Sequence, residues 1–214
     1  MSISRSRFRV IFPIASLLIV AAWSGHQEQR ATMSAKPQVA VLAGGCFWGI
    51  EAVFEHVKGV TDVVSGYSGG TVASPSYEDV SSGETGHAES VRITFDPAKV
   101  SYEQLLEVFF TVAHDPTQLN RQGPDVGTQY RSVIFYADTT QQRVAEATIA
   151  RLTKSGKYRR PIVTQVVPFR AFYMAEAYHQ NYLEHHTDQP YIVYNDLPKL
   201  EALKQQRPDL YVRR

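Results

Sequence analysis

One cysteine occurs among the 214 residues: Cys46, in Gly44-Gly45-Cys46-Phe47-Trp48-Gly49. A lone thiol has no internal disulfide partner and cannot build a thiol-rich metal site. Cys46 stands where an apolar run turns into a helical pattern. At a helix N-terminus the free N–H groups and the macrodipole favour the thiolate, which is the reactive form. The alternative is an inert, buried cysteine, but a core cysteine does not need two glycines opening the backbone before it. Phe47 and Trp48 are consecutive, so on a helix they point about 100° apart. At most one of them faces the sheet fully, and the other borders Cys46.

The second chemical residue is Glu89, in Gly86-His87-Ala88-Glu89-Ser90-Val91-Arg92-Ile93-Thr94-Phe95. Strand alternation puts His87, Glu89, Val91, Ile93 and Phe95 on one face and Ala88, Ser90, Arg92 and Thr94 on the other. A carboxyl on an apolar face is held neutral by burial and can serve as a general acid. The alternative is a strand-end glutamate that reaches solvent. Tyr77, Asp125 and Tyr130 are weaker candidates, since most of the 12 tyrosines must be structural. His179, His185 and His186 cluster without a standard zinc spacing. Gly69-Gly70 and Gly83/Gly86 lack the Lys-Ser/Thr of a phosphate loop.

These side chains need a scaffold. Strands are predicted at 38–43, 60–67, 88–95, 132–136 and 162–167. Helices are predicted at 46–56, 102–113 with Ser101 as N-cap, 139–155 ended by Gly156, and 175–185. Segment 114–130 is a Gly-, Pro-, Asp- and Asn-rich loop of the kind that carries function. The tail from Thr187, with Pro190, Pro198 and Pro208, is expected to wrap over the domain rather than join its sheet. The pattern describes a single α+β domain, a sheet with helices packed on it.

Composition is that of a globular protein, 43% hydrophobic and 20% charged. A net charge of +1 gives no sign of nucleic-acid binding. Arg5, Arg7 and Arg9 precede a 14-residue apolar run, Val10 to Trp23, which matches a secretory signal over 1–24, with an uncleaved membrane anchor as the alternative. Residues 25–37 read as a linker, and 38–214 as the folded domain with its tail. Without the first 24 residues the chain has 19 basic and 21 acidic side chains and is slightly acidic.

Several segments in order resemble the peptide methionine sulfoxide reductase A family. They are Gly44 to Gly49, Gly66-Tyr67-Ser68-Gly69-Gly70, Tyr77 with Glu78 and Val80, Gly86-His87-Ala88-Glu89, His114 to Ser132, and Tyr178-His179-Gln180-Asn181-Tyr182-Leu183. The resemblance implies a two-layer sandwich with a ferredoxin-like core. It also implies reduction of the S epimer of methionine sulfoxide, free or in proteins, by a monomer with no bound cofactor. Cys46 would attack the sulfoxide sulfur and Glu89 would protonate the oxygen. Tyr77 and Tyr130 would hydrogen-bond that oxygen, and Asp125 would shape the polar side. Phe47 and Trp48 would receive the methyl group, with His179 and Tyr182 also at the substrate. Many relatives carry a resolving cysteine in a Gly-rich C-terminal tail. This chain has Gln189-Pro190-Tyr191-Ile192-Val193-Tyr194 there, so the sulfenic acid left on Cys46 would need an external thiol: a thioredoxin-like protein, glutathione or glutaredoxin. Two other classes could use the same residues. One is a thiol peroxidase or cysteine hydrolase, with His87 as the base in the hydrolase. The other is a secreted domain that binds peptides with the aromatics beside Cys46.

Overall fold

The computed structural model describes Met1 and residues 36–214. The expected signal segment, apart from Met1, and all but the end of the expected linker lie outside the described residues. The elements are β1 (Gln38–Gly44), α1 (Phe47–Glu55), β2 (Val60–Ser68), α2 (Tyr77–Ser81), β3 (Ala88–Phe95), α3 (Tyr102–Val108), the two-residue strands β4 (Arg121–Gln122) and β5 (Asp125–Val126), β6 (Ser132–Tyr136), α4 (Thr139–Lys154), β7 (Gln165–Pro168), β8 (Phe172–Met174), α5 (Tyr182–His185) and α6 (Leu197–Gln206).

Six strands form one mixed sheet in the order β7-β6-β1-β3-β2-β8, and β4 pairs with β5 in a small hairpin. Only the β6–β7 pair is parallel; the other pairs in the sheet are antiparallel. β1 lies between β3 and β6 and is apolar on both faces, as a central strand should be. Ala40 and Leu42 join the main core, while Val41 and Ala43 join a smaller cluster on the opposite face with Val133 and Phe135. α1 connects β1 to β2 and α3 connects β3 to β6. Their apolar faces (Ile50, Val53, Phe54, Leu105, Leu106) share the main core with Val91, Ile93 and Phe95 of β3.

The predicted strands at 38–43, 60–67, 88–95 and 132–136 are present to within one residue. Ser101 caps α3 in a capping box, accepting from the Gln104 N–H while the Gln104 side chain accepts from the Ser101 N–H. Gly156, at φ 68, follows the end of α4. Other expectations are corrected. Helix 102–113 is α-helical only to Val108 and widens into a π-helix at Phe109–Ala113, where the Thr111 hydroxyl and the His114 ring bond backbone carbonyls of the preceding turn. The last predicted strand begins only at Gln165, because Val163 bonds the carbonyl of Pro116 and Thr164 the hydroxyl of Ser132. The predicted helix 175–185 is broken. Ala177–His179 is a 3-10 turn, Gln180 is extended and Asn181 is left-handed, leaving one turn, α5. The tail adds no strand to the sheet. It is more regular than expected: a π-helix at Ile192–Asp196 runs into α6, with Pro198 in the first turn where no N–H is needed.

Candidate active site

Gly44 and Gly45 are required by close approach. A Cβ on Gly44 would lie 2.9 Å from the His114 ring, and one on Gly45, at φ 105, would lie 2.6 Å from the Gln122 side chain. The chain therefore leaves β1 beneath the His114–Gln122 loop and enters α1 with Cys46 as its N-cap. Cys46 is a free thiol, buried but not sealed, at 7% exposure.

The Phe47 N–H, at the start of α1, donates to Glu89 Oε2 at 3.0 Å. One hydrogen bond thus ties a carboxyl on the central sheet to the residue after Cys46. Glu89 is 2% exposed, so the alternative of a solvent-reaching glutamate is excluded. Burial, with Asp125 and Asp196 nearby, raises its pKa to about 8. It is a neutral acid through the neutral range.

The expected thiolate is a correction. A backbone N–H bond at Trp48 and the Lys199 ammonium favour ionisation, but burial and the carboxyls of Glu89 and Asp196 outweigh them and raise the Cys46 pKa well above its ordinary value. The resting pair is a thiol beside a carboxylic acid. The helix-terminus argument took account of the local field alone.

Phe47 is the aromatic that faces inward, packing 5.9 Å from Tyr67 and 5.1 Å from His179. Trp48 is half-buried. Tyr182 stacks on it at 3.8 Å and 8°, Tyr191 meets it edge-on at 6.0 Å, and its indole N–H donates to His179 Nδ1 at 3.1 Å. A neutral His179 must then carry its proton on Nε2, which is buried without a partner among the described residues. Tyr77 packs 4.5 Å from His179, and the Glu176 carboxylate accepts both its N–H and the Tyr67 hydroxyl. Tyr77 and Tyr130 both lie within the field of Glu89 and Cys46. Burial first, then Glu89, raises their hydroxyl pKa values, so both remain donors. Asp125 accepts the Tyr191 hydroxyl at 2.5 Å. The structure therefore brings together all nine candidates: Cys46, Phe47, Trp48, Tyr77, Glu89, Asp125, Tyr130, His179 and Tyr182.

His87 does not join them as a base. Its Nδ1 accepts from the Gly70 N–H at 3.1 Å and its Nε2 bonds the Val72 carbonyl at 2.7 Å, so both ring nitrogens are occupied. This removes the hydrolase reading. Among the described residues no group of three or more His, Cys, Asp or Glu is placed to hold a metal.

Sequence reasoning missed three residues of the tail: Tyr191, Asp196 and Lys199. Asp196 is fully buried and pairs with Lys199 at 3.0 Å against the first turn of α1. The one available signal was an Asp directly before a Pro-containing helix start. Gly49 is open to receive this pair, since a Cβ there would fall 2.1 Å from Asp196 Oδ1. Gly49→Ala is expected to destabilise the fold by about 1–3 kcal/mol through overpacking, against a helix-propensity gain of about 1 kcal/mol. A lower urea midpoint at unchanged slope is the check, and an unchanged or higher midpoint would contradict it.

The match to known proteins agrees with this geometry. A family model for peptide methionine sulfoxide reductase covers residues 38–210. A peptide methionine sulfoxide reductase of Mesorhizobium japonicum is 57% identical over 81% of this chain and 89% of its own length. One of Synechocystis is 52% identical over 84% of each. Among solved structures, the reduced form of Mxr1 from Saccharomyces cerevisiae aligns with a TM-score of 0.66 at 33% identity, covering 72% of this chain and 88% of that one. Methionine sulfoxide reductase A of Corynebacterium diphtheriae aligns at 0.62 and 35%, covering 71% and 76%. With the family model spanning most of the sequence and relatives more than half identical, the chain belongs to the peptide methionine sulfoxide reductase A family.

Proposed function

We propose that this protein reduces the S epimer of methionine sulfoxide, free or in oxidised proteins, through a sulfenic acid on Cys46, and that an external thiol resets it. The observation that carries the reading is the Phe47 N–H···Glu89 bond, which holds a neutral, buried carboxylic acid beside the helix start capped by Cys46. Cys46 Sγ attacks the sulfoxide sulfur as Glu89 protonates its oxygen. Tyr77 and Tyr130 donate to that oxygen, and Asp125, held by Tyr191, borders the polar side. Phe47 and Trp48 enclose the methyl group, with His179 and Tyr182 fixing Trp48. In sum, thiol and sulfoxide become sulfenic acid and thioether, and two electrons pass from the Cys46 sulfur to the methionine sulfur. One external thiol then displaces water from the sulfenic acid to form a mixed disulfide, and a second releases Cys46.

That thiol is a thioredoxin-like protein, glutathione or glutaredoxin. The absence of a second cysteine in the sequence supports an outside donor. We read the enzyme as a monomer; that all nine candidates meet within one chain supports this. Its N-terminal segment directs it to the periplasm or outside the cell, or anchors it to the membrane; three arginines ahead of an apolar run support this. The core β1–α1–β2–β3–α3–β6 is ferredoxin-like, a reading supported by its antiparallel strand order β6-β1-β3-β2.

Turnover of the two separated epimers with dithiothreitol tests the function. Methionine should form from the S epimer alone. Activity confined to the R epimer would sink the assignment.

A further inference from the structure

We propose that Glu51, on α1, is a positioning residue for the Trp48 wall of the substrate pocket, acting through the His179–Tyr182 segment. The inference rests on the reading of Trp48 as that wall. Glu51 follows Trp48 by three residues, on the same side of α1, and is 1% exposed. Its Oε2 accepts the Asn181 N–H at 2.9 Å. Asn181 is the left-handed residue that breaks the expected helix, at φ 51, a conformation uncommon outside glycine. On one side of this turn His179 accepts the Trp48 indole N–H. On the other, Tyr182 stacks on the same indole. Between them the Gln180 side chain accepts the Ser65 N–H at 2.9 Å and donates to the carbonyls of Ser65 and Ala175 at 3.0 Å. Each of the four residues is thus tied to α1 or to the sheet. Gln180 binds the segment to the sheet, and among the described residues Glu51 alone hydrogen-bonds its backbone to the helix that carries Trp48.

Two unpartnered atoms lie where Glu51 meets the sheet. The Ser65 hydroxyl lies against the carboxyl, yet neither Ser65 Oγ nor Glu51 Oε1 has a partner among the described residues. A hydrogen bond between Oε1 and the Ser65 hydroxyl satisfies both in either protonation state; the neutral acid makes it by donating from Oε1, while Oε2 keeps Asn181. Burial and the neighbouring Glu55 raise the Glu51 pKa to about 8, in keeping with a neutral acid. Glutamine reproduces that donor and acceptor pair, and leucine removes both.

The test compares Glu51→Gln and Glu51→Leu in the full chain, by steady-state kinetics on methionine S-sulfoxide with dithiothreitol and by the Trp48 indole N–H resonance. The resonance is assigned against a Trp23→Phe variant, Trp23 being the other tryptophan. Glu51→Gln should leave the resonance in place and KM within about twofold. Glu51→Leu should move the resonance and raise KM about tenfold, the scale of one lost buried partner, with a smaller change in kcat and in Cys46 alkylation rate. Should Glu51→Leu fail to fold, Glu51→Asp, which draws the carboxyl back by one methylene, carries the same test. An unmoved resonance in the variants lacking the contact overturns the proposal. A moved resonance with unchanged KM refutes the substrate role of the Trp48 wall, and the proposal falls with it.

Discussion

Mixed with one equivalent of methionine S-sulfoxide and no thiol, the protein is expected to release one methionine per chain and stop. Its mass should rise by about that of one oxygen atom, and dimedone should label Cys46. Cys46→Ser should give no methionine and no adduct, because a serine oxygen has no lone sulfur pair to accept the oxygen and no reversible oxidised state to return from. The expectation of a trapped sulfenic acid follows from a count of sulfur nucleophiles. Cys46 is the only cysteine, and the tail that packs beside it brings Tyr191, Asp196 and Lys199. An enzyme with a resolving cysteine would lose the sulfenic acid to an internal disulfide; this one has no second thiol to form it. Burial at 7% exposure also limits over-oxidation by solvent peroxide. Dithiothreitol added to the stalled enzyme should restore turnover. Repeated turnover without thiol, or no adduct after one equivalent, would defeat the single-cysteine mechanism.

Cys46 and Glu89 were legible from the sequence because their signals are local. The glycine pair marked an opened backbone, and strand alternation alone put the carboxyl on the face of Val91 and Ile93. The ionisation of Cys46 was not legible. The helix-terminus field can be read from neighbours in sequence, but the burial and the Glu89 and Asp196 charges that outweigh it come from tertiary packing. The same distinction explains the broken helix at 175–185. Its residues favour a helix locally, but bonds from Gln180 to Ser65 and from Asn181 to Glu51 cross more than a hundred residues and decide the backbone. Asp196 had been read as part of a wrapping tail, and only the space left by Gly49 explains why a carboxyl and an ammonium are buried there. Tyr77, Tyr130 and Asp125 were weak candidates from the residues alone and gained roles only through family resemblance. Nothing local distinguishes these two tyrosines from the other ten in the sequence; α2, whose Tyr77 N–H is held by Glu176, and the 3-10 turn Thr128–Tyr130 carry them.

Glu89→Gln should lower the rate of the sulfoxide-reducing step by about 10²–10⁴-fold, the usual value of a positioned general acid, while stabilising the protein in alkali. Glutamine can still accept the Phe47 N–H, so the helix start is preserved; what it lacks is the proton. The wild-type rate should therefore hold through the neutral range and fall as pH rises past about 8, where Glu89 ionises. The opposite trend, a rate rising with thiolate, is suppressed over this range. Burial and Asp196 keep Cys46 protonated, and ionising Glu89 raises the thiol pKa further. The apparent value belongs to the coupled pair, yet its sign is fixed by the acid. Stability follows the same titration. A buried carboxyl whose folded pKa is raised from 4.5 to about 8 favours the fold most at low pH, and the advantage disappears as pH climbs from the lower value through the upper. Glutamine never ionises, so at pH about 9 the variant should melt above the wild type even though its activity is lost. Single-turnover rates and melting temperatures measured across the same pH series check both halves. A Glu89→Gln variant that keeps wild-type rates would remove Glu89 as the acid, and one that melts below the wild type in alkali would mean that the carboxylate is better solvated than its burial implies.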